Sequence, residues 1–198
     1  MSLLSNLENI HFTTIESIIQ ICRLVDGLPL GLEMAASWLR SLDCATIVRE
    51  LSNTLDMHVL STNIEERHRT LRAVFDYSWS LLGEHERSML LHLSIFWGTF
   101  DLAAAKGVGG ISLFDLSRLV DAAFLHRIDA DHFHMHEVMR QGVEEKRHAD
   151  KVLNRKVHQA HCDYYARWLL DFDVAWRKQY ATPSIDGYKR NFEGVVQN

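Results

Sequence analysis

A mainly α-helical fold carrying one small β-hairpin is what this sequence predicts, and three observations carry that expectation. Only two prolines, Pro29 and Pro183, interrupt 198 residues, while Leu, Ala, Glu and Arg, which lose little side-chain freedom in a helix, are plentiful. Apolar residues recur at three- and four-residue spacing over most of the chain. The period breaks between Phe124 and Met135, where short apolar segments flank a turn composition.

Taken in order, Thr13-Thr14-Ile15-Glu16 reads as a capping box, so a helix is expected to begin there. Ile15, Ile18, Ile19, Cys22 and Val25 form its apolar stripe, and Asp26-Gly27 supplies the stop. Pro29 suits the first turn of the next helix, where a missing amide costs nothing. Leu32, Ala35, Ala36 and Leu39 are its expected buried face, and Ile47, Val48 and Leu51 belong to another short helix after Asp43. From Met57 to Thr70 charge rises and the pattern weakens, which predicts a linker or boundary. Leu71, Val74, Phe75, Ser78, Leu81 and Leu82, then Met89, Leu90, Leu93, Ile95 and Phe96, predict two packed helices either side of Gly83. Ser112-Leu113-Phe114-Asp115 opens another through a second capping pattern, with Leu116, Leu119, Val120 and Ala123 inward.

Phe124–Ile128 and Phe133–Met135, separated by Asp129-Ala130-Asp131, predict a hairpin. Three helices followed by a hairpin is the winged-helix arrangement. A helix from about Glu137 closes it, an amphipathic helix follows over Val152–Leu170, and a shorter one over Ile185–Val196 comes after Thr182-Pro183-Ser184.

The totals exclude several classes of function. Twenty-one basic against 26 acidic residues give a formal charge of −5, with no broad pull toward phosphate backbones or anionic lipid. Cys22, Cys44 and Cys162 are odd in number and far apart, so neither a disulfide framework nor a thiolate zinc site is indicated, and a cytoplasmic location fits. No apolar run approaches the roughly 20 residues of a membrane span, and the start lacks a signal-peptide layout. Met1-Ser2-Leu3 reads as a non-native start, which would make the chain a piece of a longer one.

No catalytic machinery is expected. GxxxxGK[ST], GxSxG and HExxH are absent, and Gly107-Val108-Gly109-Gly110 lacks the lysine and serine of a phosphate loop, so it reads as a flexible connection. His132, His134 and His136 alternate as metal ligands on a strand would, and His158 and Cys162 stand at i, i+4. Both spacings are weak against twelve histidines, and surface or packing roles are favoured. Trp79 and Trp97 read as core anchors. The candidate recognition helix carries Asp115, Arg118 and Asp121, a poor set for reading base edges, so direct DNA binding is not expected.

Cys22-Arg23-Leu24-Val25-Asp26-Gly27-Leu28-Pro29-Leu30-Gly31-Leu32-Glu33 resembles the GLPLA-type motif of the STAND class of signal-transduction ATPases, which includes NB-ARC proteins and large bacterial transcriptional regulators. Arg67-His68-Arg69-Thr70-Leu71-Arg72-Ala73, with Asp76-Tyr77-Ser78-Trp79 and Leu81-Leu82, resembles the segment that opens their winged helix. Phe133-His134-Met135-His136-Glu137-Val138-Met139-Arg140-Gln141 resembles the MHD-type motif that ends it. The resemblance runs across roughly residues 12–147.

It implies a helical lid over 1–62, a winged helix over 63–150, and linker helices leading toward tetratricopeptide-like repeats over 151–198. It also implies a P-loop domain elsewhere in a parent protein, binding ATP or ADP with Mg, a relay from nucleotide state to an effector in transcriptional control, and self-association on activation. By the resemblance Pro29 lies by the adenine, with Gly27 and Leu28 shaping the turn, and His136 contacts the β-phosphate of ADP. Such a hydrogen bond is worth about 1.5–3 kcal/mol, enough to bias a two-state equilibrium roughly 5- to 150-fold. Gly31 and Glu137 depart from the family's Ala and Asp. A self-contained helical interaction scaffold and a DNA-binding winged helix are the competing readings.

Overall fold

The computed structural model describes residues 3–58 and 66–180, with side chains described over 14–55 and 70–176. The described residues are mainly helical, with one small antiparallel sheet. Helices α1 (Leu3–Leu24), α2 (Pro29–Trp38) and α3 (Cys44–His58) come first, then α4 (Glu66–Leu81) and α5 (Glu84–Leu93). Strand β1 (Thr99–Asp101), α6 (Leu102–Gly109), α7 (Leu113–Asp121), β2 (His126–Arg127) and β3 (His132–His134) follow, and α8 (Glu137–Ala149) and α9 (Lys151–Tyr180) complete the order.

The sheet order is β1-β3-β2, with Phe100 opposite Phe133 and His126 opposite His134. Helix, strand, two helices and a hairpin whose last strand lies in the middle is the winged-helix order, built here from α5 to β3. Two elements of it differ from expectation. The helical trio is α5, α6 and α7, with α4 preceding it, and the glycine cluster is no connection. Gly107 and Gly109 lie in α6, and Gly110 caps it at φ 67°. Asp101 starts α6 by accepting a 2.6 Å hydrogen bond from the Ala104 amide, and the Ser112 box on α7 forms as read, Asp115 closing it in both directions.

The start of α1 is a correction. The helix begins at Leu3, so Thr13-Thr14 lies inside it and does not start it. Among its described side chains Ile21 is buried, as is Val25 just past its end, while Ile15, Ile18 and Ile19 are about half exposed. On α2 the buried face is Leu30, Gly31, Met34, Ala35 and Trp38, with Ala36 and Leu39 outside. Trp38 sets this rotation, because its indole nitrogen donates to the buried Ser78 hydroxyl of α4 at 3.0 Å and its ring meets Tyr77 edge-on. Residues 66–70, assigned above to a linker, are helical. The helix expected over 185–196 lies outside the described residues.

The core of the wing is aromatic. Phe96 stacks on Phe100, which stacks on Phe133 at the centre of the sheet. Burying a ring such as that of Phe133 contributes about 1.5–3 kcal/mol. Helix α6 lies against α9 so closely that a Cβ on Gly107 would stand 2.2 Å from the Tyr164 ring.

Candidate functional site

The turn before α2 follows from its sequence. Asp26 and Gly27 take left-handed backbone at φ 54° and 62°, reversing the chain after α1. Nothing lies within 4 Å of where a Gly27 side chain would begin, so glycine answers a conformational need there and not a spatial one. Leu28 is extended, and Pro29 takes the first helical position with its ring exposed. Gly31 has a spatial reason: an added Cβ would stand 3.0 Å from Val25 Cβ, so glycine lets α2 close on the end of α1.

His136 stands at the N-cap of α8. Its Nδ1 accepts the Val138 amide at 3.3 Å, which leaves the ring proton on Nε2 as an available donor. Desolvation first, then the neighbouring imidazoles of His126 and His134, hold His136 below its ordinary pKa of 6.5, against the pull of Glu33 and Glu137. The ring is therefore neutral at pH 7.

Glu33 belongs to α2, one turn beyond Pro29. Its carboxylate lies 3.5 Å from His126 Nε2 on β2. At the other end of α2, Arg40 pairs with Asp121 of α7 at 3.1 Å. Between these two ion pairs the helices do not close: a crevice of about 510 Å³ runs between Ala36 and Ser37 on one wall and Val120, Ala123 and Leu125 on the other. The turn before α2 and the wing-end imidazole thus flank elements that meet at Glu33 and His126.

Sequence reasoning missed the arginines behind the motif. Arg140 is 2% exposed and donates to both oxygens of Glu137 at 2.8 Å, to Glu144 at 2.9 Å and to the Ser94 carbonyl. Its hydrogen bonds to Glu137 pull that carboxyl from 4.5 down to about 2. Glutamate therefore serves at the departed position as a two-pronged clamp, using its extra methylene to reach an arginine one turn on. The i, i+3 spacing of Glu137 and Arg140 was the available signal. Arg147, also buried, donates to the same Glu144, leaving Nε and Nη1 without a protein partner. Trp97 is corrected from core anchor to surface: it is 74% exposed, with the Arg140 guanidinium 3.7 Å over its ring.

The remaining histidines do other work. His132 is exposed and holds Asp129, whose carboxylate also accepts the Asp131 and His132 amides and so fixes the hairpin turn. Among the described residues no group of three or more His, Cys, Asp or Glu side chains is arranged to hold a metal ion. On α7, Asp115 is taken by Ser112 and His85, Arg118 by Glu86, and Asp121 by Arg40. No helix of the described residues is long and apolar enough to cross a membrane.

Comparison with known proteins places the chain beside regulators. It is 33% identical over 159 residues to a protein of Mycobacterium tuberculosis strain H37Rv named a putative HTH-type transcriptional regulator, and equally to one of the same description from Mycobacterium bovis. The match takes in 74% of this chain and 18% of each relative. It is also 32% identical over 125 residues to an uncharacterised protein of Mycobacterium tuberculosis, covering 59% of this chain and 32% of that protein. No protein-family profile matches the chain. The chain is thus a distant homologue of mycobacterial proteins named as HTH-type regulators, and it spans less than a fifth of their length.

Proposed function

We propose that this chain is the relay segment of a STAND-type transcriptional regulator, joining the ATP or ADP state of a P-loop domain to an effector. In this reading residues 1–62 are the lid, 63–150 the winged helix, and 151–198 the approach to a helical repeat. The chain itself catalyses nothing and works in the cytoplasm of the parent's cell, with the P-loop and effector domains as its partners. The observation that carries the reading is His136 at the N-cap of α8. Because its Nδ1 is engaged, the neutral ring keeps its N–H donor at Nε2.

The residue types suit a nucleotide. Gly27, Leu28 and Pro29 offer a short apolar turn for a base, and His136 offers one donor for a phosphate oxygen. Everything else a nucleotide needs, Mg included, would come from the P-loop domain. Exposed Trp168, Phe172 and Trp176, stacked in sequence along α9, agree with a helix that continues into repeats. Homology to named regulators supports the transcriptional part.

The test is His136→Ala in the full-length parent. ADP retention is expected to fall roughly 5- to 150-fold, with signalling raised. Unchanged retention and output would remove the latch. A second reading, DNA binding by the wing, is favoured by the relatives' HTH description. The pairing of the α7 charges within the protein weighs against it, and salt-dependent binding of duplex DNA by the chain decides the matter.

A further inference from the structure

The crevice between α2 and the wing has ion pairs at both ends and little packing between them, and the two ends differ in kind. Arg40 and Asp121 form a permanent pair of opposite charges. At the other end stands Glu33, an acid, against a group of imidazoles. His126 on β2 faces Glu33 of α2, its cross-strand partner is His134 of β3, and His136 at the start of α8 senses His126, His134, Glu33 and Glu137 together. Glu137 is occupied by Arg140 and Gln141. Of the two carboxylates sensed at His136, Glu33 is thus the one paired directly with an imidazole of the group, at His126.

A carboxylate in that position resembles a ligand's anion in charge and in hydrogen-bonding capacity. We propose that Glu33 is a built-in counter-anion at the His126 imidazole, and that a phosphate-bearing ligand reaching His136 displaces it, unfastening the Glu33 end of α2 from β2. The inference rests on the phosphate-latch reading of His136 and deepens it. It adds His126 as a second imidazole of the site and makes Glu33 the element that ties phosphate binding to release of α2 from β2. An anion entering beside Glu33 brings like charges together, and these separate most easily if the side carrying Glu33 moves away. The crevice provides room for the Glu33 side chain to turn away while Leu30, Met34 and Trp38 keep α2 seated.

The experiment uses the 198-residue chain and inorganic pyrophosphate as the probe, read by the imidazole NMR signals of His126 and His136 and by amide hydrogen exchange in α2. In the wild type, pyrophosphate is expected to shift both imidazoles saturably and to raise exchange in α2. Glu33→Gln removes the competing charge while keeping the shape. It should tighten pyrophosphate about 3- to 5-fold, the range of one exposed ion pair, and α2 should exchange faster before any pyrophosphate is added. If Glu33→Gln changes neither affinity nor exchange while pyrophosphate still shifts His136, the counter-anion idea is overturned and the latch stands. If pyrophosphate moves neither imidazole in either protein, the counter-anion idea is overturned, while the latch is decided separately by ADP retention of His136→Ala in the parent.

Discussion

The winged helix has two unlike borders. Toward α8 and α9 it is locked: Arg140 is buried under Glu137, Glu144 and Trp97, and the backbone of α6 at Gly107 lies directly on Tyr164. Toward α2 it is clasped by two solvent-exposed ion pairs across an open crevice. Buried charge networks and glycine-mediated contacts tolerate one arrangement only, whereas exposed pairs exchange readily with water. The difference makes the α8 and α9 border the firm one and the direct α2 border the loose one, while α2 itself stays seated on α4 through Trp38 and Ser78.

Three substitutions break or sharpen that contrast. Arg140→Ala should have the largest effect, because Glu137 and Glu144 would lose the cation they share. A loss of about 3–5 kcal/mol is expected in denaturant unfolding, and a loss under 1 kcal/mol would mean the network is not the lock. Gly107→Ala comes next. The new methyl meets the Tyr164 ring, and overpacking of this kind costs about 1–3 kcal/mol. Thermal unfolding measures it, and an unchanged midpoint would show that α9 gives way easily. Smallest is Arg40→Ala, which removes an exposed pair and should cost about 0–1 kcal/mol in unfolding. Its effect should appear mainly as faster amide exchange confined to α2. A global loss comparable to that of Gly107→Ala would make the α2 border as firm as the other.

Much of the architecture was legible because local chemistry and tertiary fold agree. Asp26-Gly27-Leu28-Pro29 forms the turn its residues specify, Ser112 and Asp115 form their box, and the hairpin turn forms at Asp129. What was misread fails for identifiable reasons. Strand β1 has three residues, too few to display a period, and α6 hides behind glycines that helix propensity counts as breakers. One of those glycines is there so that α9 can approach. Thr13-Glu16 has the letters of a cap but lies within a helix that continues through it. The stripe of Ile15, Ile18 and Ile19 has helical spacing, yet periodicity gives no information about which apolar face finds a partner.

The shape of the turn was legible in Asp26-Gly27-Leu28-Pro29, whereas His136 was singled out only by the resemblance. Glu33 and His126 were not legible, since they are 93 positions apart in sequence and meet only once α2 docks on the wing. The buried arginines escaped because arginine is read as surface by default, and only the fold supplies the acids that allow its burial.

Helix α9 is 30 residues long, and its firm attachments, Val157, Tyr164 and Tyr165, lie in its first half. Beyond Tyr165 the last fifteen residues reach roughly 22 Å at the helical rise. A tilt of roughly 10° where the helix is seated would carry its tip about 4 Å sideways, by the same rise. Geometry alone would thus turn a tilt of that size at the wing into a displacement of about three quarters of a helical turn, a lever whose gain is set by its length.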